Sequence, residues 1–112
     1  MRIWDIPPKC LCRNHLLGEH RELHAIWSIL TKNKKGYSRH PETLRWKNKL
    51  GALYLRHKKL IEEMERRGYC HKSDLDGRLA RGSCRQNVFV DTPAKQKEIL
   101  RKKRCGCIYS FR

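Results

Sequence analysis

An all-α fold, one small domain of about three helices with an N-terminal arm and a long irregular linker, is predicted by three features of this 112-residue chain. Leu16, Leu23, Trp27 and Leu30 recur at helical spacing, and Trp46, Leu50, Leu53, His57, Leu60, Ile61 and Met64 fall within about 100° of helical arc. Asp91-Thr92-Pro93 then opens a third helical stretch, with Pro in its first turn. The length fits a single core. Apolar residues, at 38%, suffice for a small helical packing, whereas 34% charged residues require a heavily solvated exterior.

Residues 1–12 read as the arm, because Pro7-Pro8 cannot sit inside a helix and biases Ile6 toward extended backbone. The first helix is expected over 13–31, with Asn14 as its N-cap. A basic loop follows from Lys32 to Arg39, broken at Gly36 and carrying the aromatic face of Tyr37. One long second helix is expected over 40–67, from His40-Pro41-Glu42 to a stop at Gly68. Its cations Arg45, Lys47, Lys49, Arg56, Lys58 and Lys59 fall mostly outside the apolar arc and are expected at the surface, with His57 as a hydrogen-bonded core imidazole. Residues 70–92 look irregular, with Val88-Phe89-Val90 as a short extended piece that docks. The third helix is expected over 93–104, and 105–112 as a tail.

Lys and Arg number 27 against 11 Asp and Glu, a net charge of +16, which points to a polyanionic partner. The excess is uneven: residues 1–31 hold four basic and three acidic groups, 32–67 twelve and four, and 68–112 eleven and four. A nearly neutral opening segment is thus flanked by basic ones, as suits a reaction centre between phosphate-gripping surfaces. A merely solvated exterior or a ribosome-associated protein would show the same bias. There is no run of 18 apolar residues and no signal-peptide pattern, so a soluble cytoplasmic protein without membrane partners, nucleoid-associated through DNA, is expected.

On the first helix His15, Glu19 and Glu22 fall within about 60° of one another, at the edge of the apolar stripe. Edge placement partly desolvates a carboxyl, which raises its pKa toward the range where it can move protons.

Those residues also carry a resemblance. Met1-Arg2-Ile3, His15-Leu16 and Glu19-His20-Arg21-Glu22-Leu23 resemble the endonuclease V type pyrimidine-dimer DNA glycosylases of bacteriophage and their short microbial relatives. The match is firm over residues 1–24 and looser over 37–69, through Gly36-Tyr37, His40-Pro41 and Glu65-Arg66-Arg67-Gly68-Tyr69. It implies a DNA repair glycosylase with abasic-site lyase activity. The nucleophile would be the α-amine of Met1, the catalytic carboxylate Glu22, and the partner damaged double-stranded DNA. The phage enzyme begins with Thr, whereas here Met precedes the bulky Arg2, so Met1 is expected to be retained with a free amine. Arg2 and Arg21 match positions that engage phosphates or the damaged strand; where the family has a further DNA-contacting Arg, this chain has Ala25.

An α-amine titrates near pH 7.7–8.0, so it is a ready nucleophile at neutral pH, unlike a Lys side chain. No metal, redox or small-molecule cofactor is required, and a monomer is expected. The remaining candidate DNA contacts are His15 and the exposed cations Lys32, Lys34, Lys35 and Arg39. The alternative reading is a non-catalytic basic nucleic-acid-binding module stabilised by zinc. For that metal the sequence offers Cys10-Leu11-Cys12 and Cys105-Gly106-Cys107, a weak ligand set because Cys-x-Cys is less diagnostic than Cys-x2-Cys.

Overall fold

Residues 2–70, 74–103 and 107 are described by the computed structural model. Among them the fold is all-α, without strands: α1 (Arg13–Lys32), α2 (Pro41–Leu44), α3 (Leu50–Arg66) and α4 (Pro93–Lys103), with single 3-10 turns at Pro8–Cys10 and Gly77–Leu79. No helix of the described residues is long and apolar enough to cross a membrane.

Helix α1 is capped by Cys12 in extended conformation rather than by Asn14, which lies inside the first turn. It stops at Asn33, whose left-handed φ of 52° an amide side chain tolerates and whose N–H returns to the Ile29 carbonyl. Its Leu16, Leu23 and Ile26 are fully buried against Leu53 and Leu60 of α3, and Trp27 meets Tyr54 with ring centroids 6.3 Å apart. Each such buried Leu or Ile contributes roughly 1.5–3 kcal/mol. Ile3, Trp4, Ile6 and Leu11 of the arm, Trp46 after α2 and Leu100 of α4 complete the same core.

The single helix expected over 40–67 is two helices in the structure, because the chain turns at 45–49. Asn48 takes a left-handed φ of 63°, and its carbonyl accepts the Ser83 N–H. Past the turn, the leading N–H groups of α3 have no acceptor within the helix. The linker supplies them: Gly51 and Ala52 donate to the carbonyls of Arg81 and Ser83 at 3.1 and 2.9 Å. This approach needs bare backbone, since a Cβ on Gly82, at φ +89°, would lie 2.2 Å from the Asn48 oxygen. Tertiary docking of the linker therefore overrides an apolar periodicity that runs on through Trp46.

The rest of the described linker is irregular, as expected. Val88, Phe89 and Val90 form no strand and remain exposed, although the Val88 carbonyl accepts from Arg45 at 2.9 Å. Helix α4 starts as the sequence predicts, with the Thr92 hydroxyl accepting the Lys95 N–H, and is described as far as Lys103, the expected last residue 104 lying outside the described residues.

The far end of the arm is tied to the end of α3 by an ionic knot. Glu63, largely buried, pairs with Arg66 and with Arg67 Nε at 2.6 Å, and Arg67 in turn donates to the Leu11 carbonyl at 2.7 Å. The hydrogen bond from Arg66, then that from Arg67, hold the Glu63 carboxyl below its usual range against the cost of burial. A depressed carboxyl pKa gives stability that is complete above the unfolded value and is lost as pH falls through the folded one. Melting temperature is therefore expected to drop on acidification below about pH 4–5. The Glu63→Gln variant, compared by thermal melts across that window, is expected to show a flatter profile; an identical slope would remove Glu63 from the acid response.

Candidate active site

Among the described residues the arm has no neighbouring strand, and side chains satisfy its backbone, as buried amides require. Glu42 accepts the Ile3 N–H at 3.2 Å, Glu19 the Trp4 N–H at 2.9 Å and Gln96 the Asp5 N–H at 2.7 Å. Arg45 donates to the Ile3 carbonyl at 3.1 Å and Arg56 to that of Ile6 at 2.9 Å. Helices α1, α2, α3 and α4 thus each hold the arm, and they set its direction. Cys12 stands at the start of α1 and the Trp4 ring lies edge-on to His15, 5.6 Å away, so the arm runs antiparallel to α1. From Cys12 back to Trp4 the arm passes along the helix as far as His15 and Glu19, one turn before Glu22.

The two carboxylates of that stripe have different fates. Glu19 is 1% exposed and not at an edge, and Arg56 grips it with two bonds, Nε at 2.7 Å and a terminal nitrogen at 3.0 Å. Burial pushes its pKa up, opposed by Arg56 and by the Trp4 N–H. Glu22 is half-buried and has no ion-pair or hydrogen-bond partner among the described residues. Of the two, it is the carboxylate left available for chemistry. Met1 lies outside the described residues.

Arg45 and Arg56 correct the expectation that the second-helix cations lie at the surface. The Arg45 side chain, 3% exposed, binds Asp5 at 2.8 Å, Glu42 at 2.6 Å and the carbonyls of Ile3 and Val88. The periodicity put both cations outside the apolar arc, but an arm folded over that face supplies buried acceptors there. Glu42, Gln96 and these two arginines were missed as determinants of the site for the same reason: their partners on the arm are 39 to 91 residues away along the chain.

The candidate DNA contacts separate into two groups. Lys34 and Lys35 line a cleft of about 510 Å³, joined by Lys47 and Arg81, and Lys35 and Arg39 line a neighbouring hollow with Tyr37 and His40. Ile29 forms part of the first cleft's wall and falls on the same helical face as Glu22, two turns or about 10 Å along α1. Lys32 and Arg21 are exposed on α1 but line neither cleft. Arg2 pairs with Asp91 at 2.9 Å and lies over the Trp4 ring, so a phosphate must compete with that carboxylate for it. His15 is turned inward, with Nδ1 3.1 Å from Cys12 Sγ and 3.5 Å from Cys107 Sγ.

The cysteine set offered by the sequence is not the one that assembles. Cys10 ends the 3-10 turn buried in the core, where burial raises its thiol pKa, and it is not part of the donor group formed by Cys12, His15 and Cys107. Cys105 and Arg104 lie outside the described residues. A second donor group, His20, His24 and His57, fills the α1–α3 seam, with Nε2 separations of 3.2 and 3.1 Å from His24 to the other two. Buried His57 there matches its expected role as a hydrogen-bonded core imidazole.

Comparison with known proteins bears on residues 1–77, which match the family model described as pyrimidine dimer DNA glycosylase. No significant match is found among curated proteins or among solved structures.

Proposed function

The chain belongs to the pyrimidine dimer DNA glycosylase family, and from that premise we propose that it is a repair glycosylase with abasic-site lyase activity that works through an imine on the α-amine of Met1. What supports this reading is the antiparallel arm, whose Trp4 N–H meets Glu19 one turn before Glu22, while Glu19 itself is held by Arg56.

In the proposed sequence the amine attacks C1′ of a damaged nucleotide, the glycosidic bond breaks, and the base departs with that electron pair and takes up a proton. Ring opening leaves an imine to the sugar. Loss of a C2′ proton then expels the 3′ phosphate, and water hydrolyses the imine to release the product and restore the amine. Glu22 balances the cationic sugar and carries protons in both halves. Cations along the neighbouring clefts, Lys34, Lys35, Arg39, Lys47 and Arg81, hold the backbone of the duplex without reading its sequence. Pyrimidine dimers are the proposed lesion, since damage that weakens stacking lowers the cost of opening the helix.

Borohydride tests this directly, because it reduces an imine to a stable amine. Incubation with abasic-site duplex and borohydride is expected to give a covalent protein–DNA adduct, and dimer-containing duplex to be cleaved. Selective acetylation of the α-amine is expected to abolish both. A non-catalytic nucleic-acid-binding module would bind the duplex and give no adduct.

A further inference from the structure

We propose that Cys12, His15 and Cys107 supply three ligands, with water as the fourth, of a zinc site that fastens the C-terminal part of the chain to the start of α1. Cys12 and His15 are neighbours on the first turn of α1, but Cys107 comes from 92 residues beyond His15, so no local geometry explains its arrival beside them. Their donor atoms all lie within 4.8 Å of one another. Tetrahedral zinc with bonds of about 2.3 Å to sulfur and 2.0–2.1 Å to nitrogen separates S and N by about 3.6 Å. The observed S···N separations are 3.1 and 3.5 Å. The donors therefore stand nearly where an ion would hold them.

The surroundings suit a metal thiolate. The Cys12 backbone N–H points at Cys107 Sγ, 3.0 Å away, as a donor to a charged sulfur would. The His15 ring is half-buried beside both sulfurs. Trp4 packs edge-on against that ring and fixes its orientation. Two soft thiolates and an imidazole select zinc over the hard cations, and the charges cancel: on binding, each thiol releases its proton to solvent.

Cys107 lies outside residues 1–77, the part that matches the family model. The site thereby links a segment peculiar to the rest of this chain to the helix that carries Glu22. It stands independently of the proposed enzymatic reaction, and its test does not use activity.

Full-length protein purified without chelator is expected to carry one zinc per chain. Cobalt exchanged into the site should give thiolate-to-metal charge-transfer absorption and intense visible bands of tetrahedral geometry. Cys107→Ser and His15→Ala are each expected to weaken zinc, measured by competition with a chromophoric chelator, by at least the roughly 10–100-fold that losing an outer-shell partner costs. His57→Gln, in the histidine group of the α1–α3 seam, is expected to leave both zinc content and the cobalt spectrum unchanged. Circular dichroism on each variant separates loss of ligand from loss of fold; if Cys107→Ser does not fold, the wild-type cobalt spectrum decides. Overturning results are zinc-free wild type that takes up none from solution, a Cys12–Cys107 disulfide in fresh protein, cobalt bands without thiolate character, or zinc that survives Cys107→Ser but not His57→Gln.

Discussion

Glu22→Gln is expected to lower single-turnover cleavage of dimer-containing duplex by about 10²–10⁴-fold, the range for removing a positioned acid–base group, while leaving affinity for that duplex nearly intact. The amide preserves size and polarity but neither balances a cationic sugar nor carries a proton. Glu22 is only half-buried and has no partner among the described residues, so the fold asks little of its charge. Glu19→Gln supplies the contrast. It removes the charge that Arg56 holds with two bonds inside the core, and its cost is expected in the unfolding midpoint before it is seen in chemistry. Binding isotherms, single-turnover rates and urea melts on the two variants separate the roles. Unchanged turnover in Glu22→Gln would remove Glu22 from the mechanism.

Arg45→Met is expected to destabilise the protein by about 3–5 kcal/mol, out of the roughly 5–15 kcal/mol that a domain commonly has. The thioether fills part of the space but leaves Asp5 and Glu42 with uncompensated charge, and it abandons the carbonyls of Ile3 and Val88. Arg45→Lys keeps the charge without the planar fork and is expected to recover only part of the loss. Adding Asp5→Asn and Glu42→Gln to Arg45→Met is expected to restore stability non-additively, because the same carboxylates cause the penalty. Urea unfolding of the series measures this. A loss below about 1 kcal/mol would put the pair in the class of exposed salt bridges. The arm depends on this residue directly, so borohydride trapping is expected to fall in Arg45→Met even under conditions where the variant is folded.

These two expectations mark where reading the sequence succeeds and where it stops. The apolar stripe Leu16, Leu23, Trp27 and Leu30 specified α1 to within a residue at its C-terminus, and Asp91-Thr92-Pro93 specified the start of α4, because periodicity and capping are local properties. The stripe holding Glu19 and Glu22 was equally legible. That one carboxylate would be sealed against Arg56 and the other left without a partner was not, since the difference lies in what packs over the helix.

What the sequence by itself determined is the helical class, its local helix signals and, through the family match of residues 1–77, the kind of protein this is. Tertiary structure alone decided the break at 45–49, the burial of Arg45 and the partial burial of Arg56, and the exchange of Cys10 for His15 beside Cys12 and Cys107. Local free energies favour helix wherever apolar residues recur, but charges and sulfurs are placed by partners that the chain brings from as far as 95 residues away.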